Sequence, residues 1–270
     1  MPEGHVLHRA ARLQGKRFNG RRLTAESPQG RFAEGAAAVD GRILEGIDAR
    51  GKHIFYRFDN GLAVHVHLGL FGKFRLQTPP FPEPSPNARL LLSTDSDRLH
   101  LAGPTTCELL NPDEIELVFD KLGPDPIVDP PDGADRFAAA LSRRTVPIGR
   151  ALLDQRAVAG LGNVYRSEVL FMLGLNPFVA ARDVSRNLVD QLWKLSVTEL
   201  RAGERSGRIV TVQPGEVDRR RRADMKRRER LYAYKRQGDP CRRCGTLIAS
   251  AQIDDRNIWW CPTCQPAETS

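Results

Sequence analysis

The 270-residue sequence contains no apolar run approaching the roughly 18 to 20 residues that cross a bilayer. Met1 to Arg22 is polar and repeatedly basic, without the apolar stretch of a secretory leader, so a secretory origin is not expected. No membrane partner is expected, and the chain should be soluble, in a reducing compartment such as the bacterial cytosol or nucleoid. Acidic charge is in deficit, with 33 Asp and Glu against 41 Lys and Arg, giving a formal net charge of +8. That surplus suits a polyanionic ligand, for which phosphate contacts and counterion release supply much of the affinity. No internal repeat is present, so a repeat array is not expected, and the length allows about two domains, each with its own core.

Cysteine is scarce as well, at five residues. Four of them, Cys241, Cys244, Cys261 and Cys264, fall as two C-x2-C pairs separated by sixteen residues. Each pair can present two thiolates to one tetrahedral metal, and the intervening residues suffice for a two-stranded ribbon with Arg256 at its tip. Two disulfides could use the same residues, but a secretory origin is not expected, which favours a single zinc ion. Four cysteines leave no open coordination position, so the ion would be structural. Cys107, the odd one, reads as a buried thiol.

Hydropathy patterning divides the chain. Val6, Ala10 and Leu13 have helical spacing and predict one opening helix. Leu62, Val64, Val66 and Leu68 alternate with Ala63, His65 and His67, after Ile54, Tyr56 and Phe58, which predicts antiparallel strands of a sandwich or barrel. Pro124, Pro126, Pro130 and Pro131 break regular structure and predict a linker over 124–136. From about Phe137 to Leu200 the pattern is helical. The expected fold is α+β: a β-sandwich with flanking helices over 1–123, a helical unit over 137–230 ending in a basic mobile segment, and a zinc ribbon over 231–270.

Removal of Met1 would make Pro2 a free N-terminal secondary amine. Such an amine can attack an aldehyde-level carbon and form an iminium ion, an electron sink that eases elimination at neighbouring carbons. Glu3 is placed to give or take a proton if burial raises its pKa.

Met1-Pro2-Glu3-Gly4, Val158-Ala159-Gly160-Leu161-Gly162-Asn163-Val164-Tyr165-Arg166-Ser167-Glu168 and Arg256-Asn257-Ile258-Trp259-Trp260-Cys261 stand in this order. Together they resemble the formamidopyrimidine-DNA glycosylase and endonuclease VIII family over nearly the whole chain. Gly4 leans toward the endonuclease VIII branch, and Gly4 to Arg9 is most similar to a second actinobacterial subgroup. The resemblance implies a helix-two-turn-helix in the helical unit and a bifunctional DNA glycosylase and abasic-site lyase acting on oxidised bases, pyrimidines above all. Pro2 would attack C1′ while Glu3 protonates the sugar ring oxygen. Lys52 matches a lysine near the active-site phosphate, although by itself it reads sooner as a solvated turn residue between strands. Arg256 and Asn163 would grip the phosphate beside the lesion, Asn163 at a helix start where capping is the plainer role. Lys121 falls where a DNA-contacting arginine is common, without the bidentate grip.

The everted base leaves a hole, and Leu70 and Phe71, in His67-Leu68-Gly69-Leu70-Phe71-Gly72, are the wedge candidates unless they face the core. Gly69 and Gly103-Pro104-Thr105 depart from residues that relatives use in that void, and His5-Val6 replaces a second carboxylate. A protein that binds damaged DNA without turnover is therefore the alternative. Damaged DNA, duplex or single-stranded, is the expected partner of a monomer. The run Arg219 to Arg228 is so charged that it should resist packing, as a basic arm or as a loop near the everted base.

Overall fold

Eight short strands fold the first part of the chain into two antiparallel sheets that face each other across one apolar core. The structure is a computed structural model that describes residues 2–267; the expected loss of Met1 falls outside those residues. The chain divides into two units between Lys121 and Leu122.

In the first unit, helix α1 (Gly4–Phe18) precedes β1 (Thr24–Glu26), α2 (Ala33–Val39), β2 (Leu44–Arg50), β3 (His53–Phe58), β4 (Ala63–His67), β5 (Lys73–Gln77), β6 (Ala88–Ser93), β7 (Arg98–Ala102), β8 (Thr106–Leu110) and α3 (Pro112–Asp120). The sheets run β1-β6-β7-β5 and β2-β3-β4-β8. Ile54, Tyr56, Val64 and Val66 from one sheet and Leu90, Leu92, Leu99 and Leu101 from the other close the core with Leu7 and Phe18 of α1. The alternation seen in β4 does not mark a solvent face. Phe55, Ala63 and Leu110, on its other side, are covered by Ile115 of α3, so both faces of the strand are buried. The helix α3 is well started, since Asn111 and Glu114 form a reciprocal capping box ahead of Pro112.

The expected stripe on α1 is displaced by one residue. Leu7, Ala11, Gln14 and Phe18 are the buried positions, while Val6, Ala10 and Leu13 are half-buried beside them. A glutamine inside the stripe hides it from a hydropathy reading. It is tolerated because the Tyr56 hydroxyl donates to Gln14 Oε1 at 2.6 Å.

In the second unit α4 (Gly133–Ser142), α5 (Ile148–Ala151), α6 (Asn163–Leu173) and α7 (Arg186–Ser206) precede a two-stranded ribbon of β9 (Ala249–Ile253) and β10 (Arg256–Trp260). The turns of residues 152–162 join α5 to α6. Phe137, Leu141, Leu161, Tyr165, Leu170, Leu192 and Trp193 form the helical core, and Phe171 of α6 packs with Tyr232, Ile248 and Trp259 beneath the ribbon. Two expectations fail here. Residues 124–136 are not a free linker: Pro124 and Asp125 are buried, the Pro124 carbonyl accepts from Ala159 N at 3.0 Å, and α4 already begins at Gly133. Nor does the basic run resist packing. Met225 is buried within it, Arg222 makes a two-pronged pair at 2.9 Å with Glu199 of α7, and Arg219 pairs with Glu229 at 2.6 Å. Countercharge comes from within the run, where Asp224 pairs with Arg221 at 3.1 Å, from the adjacent Glu229, and from Glu199 of α7. Among the described residues no helix is long and apolar enough to cross a membrane.

Candidate active site and nucleic-acid interface

The first unit carries Pro2 and Glu3 at the start of α1. Pro2 is half-buried and Glu3 occupies the N-cap position of α1 in extended conformation, φ −110° and ψ 171°, only 2 % exposed. Its carbonyl accepts from Val6 N at 2.9 Å, which anchors the backbone beside Pro2. His5 follows, buried and kept neutral with its pKa down at about 4, first by burial and then by the Arg9 charge. Val6, where the resemblance would place a second carboxylate, is half-buried and packs against the core. Lys52 lies in the β2–β3 turn and is buried, so the reading of a solvated turn residue fails. A lysine withdrawn from water is a costly choice unless its charge has work to do.

Leu70 and Phe71 stand out from the β4–β5 loop, 56 % and 78 % exposed, and do not face the sheet core. The loop keeps that shape because Gly69 has φ +64° and a Cβ on it would lie 1.8 Å from Thr105 Oγ1. A Cβ on Gly103 would touch the Phe71 carbonyl carbon and oxygen, so the 103–105 segment braces the loop from below. Glycine is thus required by packing at Gly69, whereas at Gly103 it is the φ of +61° that favours it. Lys121 ends α3 and is exposed.

The second unit presents a different set. Gly162, not Asn163, holds the N-cap position of α6, and Asn163 is the first helical residue. Its Oδ1 is buried and has no hydrogen-bond partner among the described residues, so the amide does not act as an ordinary cap. An unpartnered amide oxygen suits an outside donor; an anion such as a phosphate would instead be met by the NH2 group of the same side chain. Arg256 opens β10 opposite Ile253, at the ribbon tip, partly exposed, with Asp255 3.4 Å from its Nε.

Two residues that the sequence reading passed over hold this set in place. Arg166 of α6 is fully buried and donates to the carbonyls of Gly149 at 2.8 Å and Asn257 at 2.9 Å, which fixes the ribbon strand that carries Arg256. Glu168, also fully buried, accepts from the backbone N–H groups of Tyr232, Ala233 and Tyr234 at 2.7, 2.9 and 2.8 Å and from the Thr211 hydroxyl. It ties the segment leading to the ribbon onto α6. The available signal was two charged residues on a helix whose other members are largely apolar.

The four cysteines meet at the base of the ribbon. A tetrahedral ion with metal–sulfur bonds of about 2.3 Å spaces its sulfurs about 3.8 Å apart. Cys241 and Cys264 Sγ are 3.8 Å apart, Cys244 and Cys261 Sγ 3.4 Å, and all four lie within 4.8 Å of one another. Hydrogen bonds from Thr246 pull the Cys244 thiol down to about 6, whereas burial pushes Cys261 and Cys264 up, so the metal's own charge would be needed to hold all four as thiolates. The set fits a zinc ion, with no position open for chemistry. Cys107 is half-buried, and burial pushes its thiol up to about 12, which makes it inert.

Comparison with known proteins assigns each part. Residues 1–107 match the N-terminal domain of formamidopyrimidine-DNA glycosylase, 122–213 its H2TH domain, and 238–267 a zinc finger found in FPG and IleRS. The chain is 40 % identical to Endonuclease 8 1 of Mycobacterium tuberculosis over 98 % of its own length and 100 % of that protein. It is 33 % identical to the Probable endonuclease 8 2 of Streptomyces coelicolor, over 98 % and 94 %. Identity is thus higher to a relative of the first designation than to one of the second, to which residues 4–9 pointed. The crystal structure of Lactococcus lactis Fpg with DNA containing an abasic site superposes with a TM-score of 0.82 at 25 % identity, covering 98 % of this chain and 100 % of that one.

Proposed function

The chain belongs to the formamidopyrimidine-DNA glycosylase and endonuclease VIII family, and from that premise we propose that it excises oxidised bases, pyrimidines above all, and cleaves the strand through an iminium bond to Pro2. The observation that carries the reading is a carboxylate, Glu3, held almost wholly out of water next to the proline. The unprotonated amine attacks C1′ of the damaged nucleotide, and the base departs as the C1′–N bond breaks. Glu3 delivers a proton to the ring oxygen, the ring opens, and the iminium forms. The cation acidifies C2′, a proton leaves that carbon, and the 3′ phosphate departs by β-elimination; δ-elimination of the 5′ phosphate completes a one-nucleotide gap.

In this reading Lys52 brings a charge to the phosphate flanking the lesion. Asn163 and Arg256 grip the backbone, with Lys121 as a further contact. Leu70 and Phe71 fill the space left by an everted base. A single zinc ion supplies no chemistry and, when bound to Cys241, Cys244, Cys261 and Cys264, keeps the ribbon folded. The protein acts as a monomer in the cytosol or nucleoid on damaged DNA.

Borohydride trapping on an abasic and an oxidised-pyrimidine duplex tests the proposal. Protein with a verified Pro2 terminus should give a stable protein–DNA crosslink and an N-terminally extended control none. Salt-sensitive binding without crosslink or cleavage would favour the binding protein that lacks turnover.

A further inference from the structure

Three side chains outside the assigned set form an unbroken polar line across the face of the β2-β3-β4-β8 sheet that also carries Phe55, Ala63 and Leu110. His53 opens β3 directly after Lys52. Its Nδ1 lies 2.8 Å from Nε2 of His65 on β4, and Nδ1 of His65 lies 2.8 Å from Oε1 of Glu108 on β8. The rings are held rigidly. His65 stacks on Phe55 at 4.7 Å and 10° and on His53 at 5.0 Å and 21°, while His67 approaches His53 at 4.9 Å. Glu108 is half exposed and borders an open cavity of about 530 Å³ with Arg31 and Glu34, so one end of the line is wet. The other end reaches the surroundings of Lys52, whose charge acts on both His53 and His67.

Hydrogen-bond chemistry gives this line a direction. An ionised carboxylate only accepts, so Nδ1 of His65 carries the hydrogen and its Nε2 carries the lone pair. Nδ1 of His53 must then donate to that lone pair. The nitrogen left over, Nε2 of His53, is an acceptor on a ring that feels the Lys52 charge. Burial keeps both rings neutral, His53 down at about 3 with the neighbouring His65, His67 and Lys52 adding to the effect, so a fixed tautomer and not a charge is transmitted.

We propose that Glu108, His65 and His53 form a chain of fixed tautomers that positions the Lys52 ammonium by presenting it with an acceptor nitrogen. Were the chain broken, His53 would be free to adopt the Nε2–H tautomer and would turn a donor toward a cation. His53, His65 and Glu108 are thus positioning residues that act through Lys52, and the inference rests on the role given to Lys52 above.

The test combines spectra and kinetics on the full-length zinc-loaded protein. Long-range ¹H–¹⁵N spectra of the free protein should show Nδ1–H tautomers for His53 and His65 in the wild type and in Glu108→Gln, which keeps an accepting oxygen. His65→Phe, which retains the stack on Phe55, should turn His53 to Nε2–H. On an abasic duplex, Glu108→Leu and His65→Phe should lower kcat about tenfold with KM unchanged, as loss of an orienting partner does, while Glu108→Gln retains wild-type cleavage within about twofold. Glu108→Leu replaces a half-exposed edge residue, so its folding is secure if His65→Phe proves unstable. An Nε2–H tautomer of His53 in the wild type overturns the proposal, as does wild-type kcat in Glu108→Leu. If the wild type cleaves nothing, the functional reading fails, and the spectra alone decide the chain.

Discussion

At the scale of single residues, stability depends on histidines that the fold keeps uncharged. His5 is held near 4 by burial and Arg9, and His53 near 3 by burial, His65, His67 and Lys52. Both lie below the ordinary value of 6.5, so between these pH values the unfolded chain binds protons that the folded chain does not. Their contribution is complete above about pH 6.5 and is lost as pH falls toward 4 and then 3. Each histidine adds a slope of up to about 1.4 kcal/mol per pH unit in its window. Urea midpoints should therefore drop steeply between pH 6.5 and 4, and a profile flat across that interval would contradict the burial. Arg166 makes a second prediction. Arg166→Met leaves the carbonyls of Gly149 and Asn257 without their donor and should cost about 3 kcal/mol. It should also weaken binding to abasic duplex, because the strand carrying Arg256 loses its anchor; unchanged affinity would show that the anchor is dispensable.

At the scale of elements, the β4–β5 loop and the ribbon can be perturbed separately. Leu70 and Phe71 are too exposed to support the core, so the double change to alanine should alter unfolding free energy by no more than about 0.5 kcal/mol. Lesion-duplex affinity should nonetheless fall by about tenfold or more, since an apolar wedge is lost. A large drop in melting temperature would instead place these side chains in the core. Removing zinc with a chelator should unfold the ribbon, seen as a change in the fluorescence of Trp259 and Trp260, and abolish tight DNA binding; an unchanged spectrum would argue against the metal. The ribbon was legible in the sequence because cysteine spacing is a local constraint on metal geometry. The sandwich was legible from the alternation in β4. The α1 stripe was displaced because Gln14 interrupts it, and its partner Tyr56 is 42 residues away. Residues 124–136 read as a linker because proline signals irregular backbone without saying what it packs against. The His53–His65–Glu108 line depends on strand register, which spacing alone does not provide, so none of its members stood out.

At the scale of the whole molecule, the surplus of +8 sets the terms of DNA binding. Affinity for undamaged duplex should fall linearly in log–log form with salt, with a slope of about −5 if six phosphates are engaged. A slope near zero would remove the electrostatic basis of the interface. In the proposed reading the two units contribute different chemistry, a proline amine beside a buried carboxylate in one and phosphate-gripping groups in the other. The central claim is that the covalent chemistry belongs to Pro2. Peptide mapping of the borohydride-reduced crosslink by mass spectrometry tests it most directly. The account predicts a reduced sugar adduct on the N-terminal peptide, localised to the nitrogen of Pro2; an adduct on Lys52 or any other lysine, with Pro2 unmodified, would contradict it.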